Sequence, residues 1–200
     1  MKPAKTLLLF IVATFLQAMS VRASLMETIV LVPEVQPFVE PGTRPIEIVR
    51  ADLNGDGLSD FILVLEKLPT ADESHMLERT LLIIVRQAGG TLKLARRSES
   101  AVRDDDCGGP FGDCFQGVTA KDRAFTITEY GGGSWRFDRK STFRFSSRDQ
   151  TWQLVRVEEW SFHVSNPSKV KRKVYVPPRN YGKIDISEYD PGDFLGKGPK

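Results

Sequence analysis

Histidine and cysteine are both scarce, with two of each in 200 residues. Neither His75 nor His163 lies in a nucleophile or metal motif, since the sequence holds no G-x-S-x-G and no H-E-x-x-H. The cysteines, Cys107 and Cys114, are not spaced C-x-x-C and have no histidine close by, which argues against zinc and against a thioredoxin-type thiol pair. An excess of charge is also lacking: 28 basic residues face 26 acidic ones, a net of +2. Both signs are interspersed, so nothing points to nucleic acid as a partner. No long stretch carries a capped apolar period of 3.6 residues, so few or no helices are expected after the leader.

The leader is the first feature that is present. Lys2 and Lys5 precede the apolar run "TLLLFIVATFLQAM", and "VRA" before Ser24 is a small-residue cleavage pattern. Residues 1–23 therefore read as a signal peptide. The alternative is an N-terminal membrane anchor, but the run is short for a span and no stop-transfer pattern follows. Removing Lys2, Lys5 and Arg22 with the leader would leave 25 bases against 26 acids, a net of −1. The mature chain, of about 177 residues, is long enough for one domain with a real core. A periplasmic or secreted destination is expected, with no membrane span in the mature chain.

Strand signals dominate the rest of the chain. "FILVL" at 61–65 and "LLIIV" at 81–85 are apolar without alternation, as in central strands covered on both faces. "QAGG" turns the second into "TLKLARR". "AFTITEY" and "WRFDRKSTFRF" are joined by a triple glycine, as in a hairpin. In the latter, Trp135, Phe137, Phe143 and Phe145 share one parity, while Arg136, Asp138, Lys140, Thr142 and Arg144 take the other. Its polar middle leaves open a turn that splits it into two short strands. In "TWQLVRVEEWSFHV", Trp152 and Leu154 share a parity with Trp160 and Phe162, whereas Val155 and Val157 do not, so a bulge or burial on both faces is needed. "KVKRKVYV" is either an edge strand guarded by lysines or a basic contact patch. "TADESHMLERT" is a candidate short helix, starting at Thr70 or Asp72. The fold class is mainly β: a single antiparallel sheet or sandwich-like domain over 24–176 with a Gly-rich disulfide loop. A tail over 177–200 is expected to pack on the surface or be partly disordered.

Two local motifs carry chemistry. In "DDDCGGPFGDCF" an even cysteine count beside a secretory leader favours a Cys107–Cys114 disulfide over free thiols. In "DLNGDGLSD" the residues Asp52, Asn54 and Asp56 are spaced by two and Gly57 follows, the D-x-N-x-D-G start of a calcium loop. Calcium takes six to eight hard oxygens at about 2.3–2.6 Å. Leu58 would add its backbone carbonyl and Asp60 a further carboxylate. The twelfth position, which in an EF-hand is a bidentate Glu, is Leu63, so this is not an EF-hand.

The short form, closed by Asp60 at the ninth position, resembles the FG-GAP or VCBS calcium loop of integrin-type β-propellers and related secreted bacterial proteins. The resemblance covers about twenty residues, and it implies Ca²⁺ held by Asp52, Asn54, Asp56, Leu58 and Asp60. No second good copy of the loop is present, "EYDPGDF" at 188–194 being an echo, which argues against a propeller. "GGPFGD", "ITEYGGGSWRF" and "TFRF…WQLV" are similar to small exported bacterial proteins that carry a single such loop. That resemblance implies an address and a site but no activity.

The expected function is a non-catalytic exported protein that binds another protein, such as a periplasmic inhibitor or immunity protein, with calcium as a structural cofactor. The candidate contact residues are Tyr130, Trp135 and Arg136 around the triple glycine, and Lys171, Arg172 and Lys173 in the basic run. The alternatives are a small calcium-dependent hydrolase, using calcium or the carboxylates of "RDDDC", and a carbohydrate-binding module built on exposed aromatics.

Overall fold

The computed structural model describes residues 31–70 and 76–199. The expected leader, residues 1–23, and the connector bearing His75 lie outside the described residues. So do residues 71–75 of the candidate helix over 70–80; of its described residues, Thr70 and 76–78 are not helical, and Arg79 and Thr80 open a strand instead.

Nine strands form two antiparallel sheets, each in plain sequence order. The first holds β1 (Thr43–Ala51), β2 (Asp60–Lys67), β3 (Arg79–Arg86) and β4 (Leu92–Ser98). The second holds β5 (Phe115–Lys121), β6 (Ala124–Gly132), β7 (Trp135–Ser146), β8 (Thr151–His163) and β9 (Lys171–Tyr175). Among the described residues, helix is confined to three short 3-10 segments, Pro33–Phe38, Gly109–Phe111 and Ile186–Glu188. No described helix is long and apolar enough to cross a membrane. Pro45 falls on the edge strand β1, where its missing N–H is tolerated and the register shifts.

The unbroken apolar runs of β2 and β3 are buried on both faces, as their composition requires. Ile62, Val64, Leu81 and Ile83 meet Phe125, Ile127, Phe143, Trp152, Leu154 and Val157 of the second sheet in the main core. On the opposite face, Phe61, Leu63, Leu65, Leu82 and Ile84 pack beneath Val35 and Phe38 of the first 3-10 segment and Val39 just after it. The two sheets thus face each other, and the N-terminal 3-10 segment covers the outer side of the first.

"WRFDRKSTFRF" is one continuous strand, not two. The parity conflict in β8 resolves as a bulge: Thr142 pairs with Arg156 and Phe143 with Leu154, so Val155 is the extra residue. Beyond it, Val157, Glu159, Ser161 and His163 take the face of Trp152 and Leu154, and Trp160 and Phe162 turn to the other. The basic run forms β9 at the sheet edge.

Residues 177–199 do more than wrap the surface. Tyr181, Ile184, Ile186, Tyr189 and Phe194 are all members of the main core. The segment is tied in by Leu154 N–H donating to the Ile184 carbonyl at 2.9 Å and by a 2.6 Å bond between the hydroxyls of Tyr189 and Ser141. The polar composition of the tail hid aromatics spaced widely along it. Burial pushes the Tyr181 and Tyr189 phenols well above their ordinary range.

Candidate functional site

The loop between β1 and β2 is built from the motif's own side chains. Asp52 accepts from Gly55 N–H at 2.6 Å and from Gly57 N–H at 3.0 Å. Asn54 Oδ1 accepts from Asp56 N–H at 3.0 Å, and Asp56 Oδ1 accepts from Leu58 N–H at 2.8 Å. Gly55 stands at φ +85°, a conformation that other residues resist. Leu53 drops into the core, and its carbonyl accepts from Trp152 Nε1–H at 2.9 Å. Asp60 is fully buried, its oxygens accepting from Leu53 N–H at 3.0 Å and Arg86 N–H at 2.9 Å. Burial pushes the Asp60 carboxyl up. The two amides oppose this, while the charges of Asp56 and Asp52 add to it.

The donor chemistry of this loop suits a hard cation, because each carboxylate oxygen can accept from a second partner. The arrangement is another matter. The oxygens are turned to backbone amides, and among the described residues no three His, Cys, Asp or Glu side chains are grouped to hold a metal ion.

At one end of the second sheet, three segments distant in sequence come together. Cys107 and Cys114 form a disulfide. Its loop bonds to the glycine hairpin through Gly132 N–H to the Gly108 carbonyl at 3.0 Å and Tyr130 N–H to the Cys114 carbonyl at 2.8 Å. A Cβ on Gly131 would stand 2.7 Å from Gly108 Cα, so only glycine allows this approach. The Arg136 guanidinium lies 3.5 Å from the centre of the Phe111 ring and donates to the Gly132 carbonyl at 2.6 Å. Trp135, 54% exposed, meets the edge of His163 at 5.2 Å and Lys171 at 5.4 Å. Replacing both cysteines with serine is expected to cost about 2.5 kcal/mol, the loop-closure entropy of so short a ring. Urea denaturation measures this, and an unshifted midpoint would show that the hairpin alone holds the loop.

The six candidate contact residues do not share one face. Lys171 and Lys173 pair with Ser161 and Glu159 on the face that carries Trp135. Arg172 points to the other face, bonded to Glu158 at 2.9 Å and lying over Trp160. Tyr130 pairs with Asp138 on that same far face.

Sequence reading missed the ion pairs beneath this end. Arg103 Nε donates to Glu129 at 2.7 Å, and Arg139 Nε donates to Glu159 at 2.9 Å. Glu129 is buried, and Arg139 Nη1 lies 3.6 Å from it. Burial opposes the Arg139 charge, but Glu129 and Glu159 more than offset it, so the group is held above its ordinary value. The signal was in the alternation: position 139 falls on the parity of Trp135, Phe137 and Phe143. An arginine there must be buried with partners.

The other candidates for chemistry have structural contacts. His163 Nδ1 is 2.7 Å from Ser165 Oγ and has no carboxylate partner among the described residues. Of the "RDDDC" acids, Asp105 accepts from Leu77 N–H at 2.7 Å and Asp104 from Asp106 N–H at 3.2 Å. Compared with family models, with curated proteins and with solved structures, the chain matches none.

Proposed function

We propose that this chain is an exported, non-catalytic protein that binds another protein through the end of its second sheet. The observation that supports this most is the meeting of disulfide loop, glycine hairpin and β9 around an exposed tryptophan. Tryptophan and arginine are the residues that most often carry interface energy, and a stiff backbone lowers the cost of ordering them. A leader followed by a disulfide fits a periplasmic or secreted protein. An inhibitor or immunity protein is the kind of partner-binding role this architecture suits, by analogy.

The test is a pull-down from the native envelope, with and without calcium, using the unaltered chain and Trp135→Ala. A stoichiometric protein lost on Trp135→Ala is the expected result, at a cost of roughly 2 kcal/mol or more in binding. Equal recovery by both chains would refute the site.

In the same reading, the 52–60 loop takes Ca²⁺ as a structural clip through Asp52, Asn54, Asp56, the Leu58 carbonyl and Asp60. It would need those oxygens to turn from backbone amides toward the ion. With an affinity of about 0.1 mM and calcium at about 1 mM, binding adds roughly 1.4 kcal/mol to stability. Chelation is then expected to lower the melting temperature by a few degrees without changing the oligomeric state. An unchanged melting curve in EDTA, together with no calcium in the purified protein, removes the ion from the account.

A further inference from the structure

The inner face of the second sheet is longer than the core it covers. Beyond Ser141 and Val157 it carries a cleft of about 270 Å³, lined by Arg103, Phe137, Arg139, Glu159, Lys171 and Lys173 among others. Four cations thus enter one concavity with one carboxylate in its wall, and Glu129 is buried beside Arg103 and Arg139. Even counting both acids, the cleft keeps an excess of positive charge.

The cationic groups differ in role. Arg139 is locked by Glu159, and Arg103 is fixed by Glu129 and by stacking over Phe137 at 5.2 Å. A guanidinium has five N–H donors. Arg103 makes one such bond here, and its Nη2 and the Nη1 of Arg139 are buried without a hydrogen-bond partner. Lys171 and Lys173 are exposed, two residues apart on the same face. Among the described residues, Lys171 has only the Trp135 ring, and Lys173 has no acidic partner within ion-pair distance. Like charges placed side by side on one sheet face repel, and an anion between them removes that cost.

We propose that this cleft binds a small free anion bearing phosphate or carboxylate groups. The two lysines approach it from the rim, and the guanidinium groups supply fixed positive charge from the floor. A volume of this size suits a small organic anion. The proposal concerns a free anion, so it stands whether or not a protein partner exists.

The test is calorimetric titration of the full chain at low ionic strength, with inorganic phosphate in one arm and succinate in the other. One-site saturable binding of at least one of them is expected, with chloride at equal ionic strength a poor competitor. The chain carrying both Lys171→Met and Lys173→Met should bind roughly tenfold more weakly or worse, the loss of charge-assisted bonds. Lys121→Met, on an exposed residue of β5, should leave the affinity unchanged. These lysines are exposed, so the variants should keep the parent melting curve. No binding of either anion, or an equal loss in Lys121→Met, would overturn the site.

Discussion

Truncation after Val176 is expected to leave a chain with no cooperative unfolding transition. The truncation removes Tyr181, Ile184, Ile186, Tyr189 and Phe194 from the main core. Deleting one large buried side chain costs roughly 2–5 kcal/mol. Losing all of them exceeds the roughly 5–15 kcal/mol by which a domain is stable. The loss also uncovers Phe143, which packs edge-on against Tyr189 at 5.1 Å, and leaves Ser141 buried without its Tyr189 partner. Circular dichroism against temperature is the measurement. A sharp transition in the truncated chain would mean that the two sheets close without the tail. Tyr189→Phe separates the ring from its hydroxyl: it keeps the packing and is expected to cost only about 1–3 kcal/mol.

Arg79→Met is expected to lower stability by roughly 3–5 kcal/mol, the typical result of removing one partner of a buried ion pair. The Arg79 side chain is 2% exposed. Its Nη2 lies 2.5 Å from Glu66, itself buried, and 2.6 Å from Asp113 in the disulfide loop. Its Nη1 also donates to the Arg103 carbonyl at 3.2 Å. One guanidinium on β3 therefore fixes both the disulfide loop and the backbone that presents Arg103 to the cleft. Without it, Glu66 keeps, among the described residues, only Arg44, at 2.5 Å and half exposed. Neutralising both, as Arg79→Met with Glu66→Gln, should recover part of the loss, because no uncompensated charge stays buried. Glu78→Gln provides the contrast. It breaks an ion pair with Lys67 in which both side chains are largely exposed, and it should change stability by less than about 1 kcal/mol. Urea midpoints for the three variants decide the matter, and a loss below about 1 kcal/mol for Arg79→Met would show that the network is dispensable.

Much of the fold was readable from local pattern. "FILVL" and "LLIIV" announced strands buried on both faces because an unbroken apolar run has no side to give to water. The triple glycine announced a hairpin, and the lysines of β9 an edge, because turn and edge chemistry act within a few residues. The disulfide followed from cysteine count and loop composition. In the candidate site, the Asp52–Asp60 spacing marked a loop whose internal hydrogen bonds span only two to seven residues, whereas its anchors to Arg86 and Trp152 were not readable from that spacing.

The tail and the cleft were not readable in the same way. Tyr181, Tyr189 and Phe194 are scattered among prolines, glycines and charges, with no period to reveal a buried face. Their burial depends on packing against residues far back in the chain, such as Ser141 and Phe143. The alternation puts Arg139 on the apolar parity of its strand, but its partners are not readable until β6, β7 and β8 are in register and place Glu129, Arg139 and Glu159 side by side.

By itself the sequence determined most of the strands, the glycine turns, the disulfide and the short loop, because hydrophobic alternation and backbone preference act over a few residues; β5 (Phe115–Lys121), with few apolar side chains, carried no such signal. Only the tertiary structure decided that there are two sheets, that the tail completes the core, and that Gly108, Trp135 and Lys171 stand at one end. Those contacts join residues far apart in the chain, and they are set by which faces remain to be covered once the strands have paired.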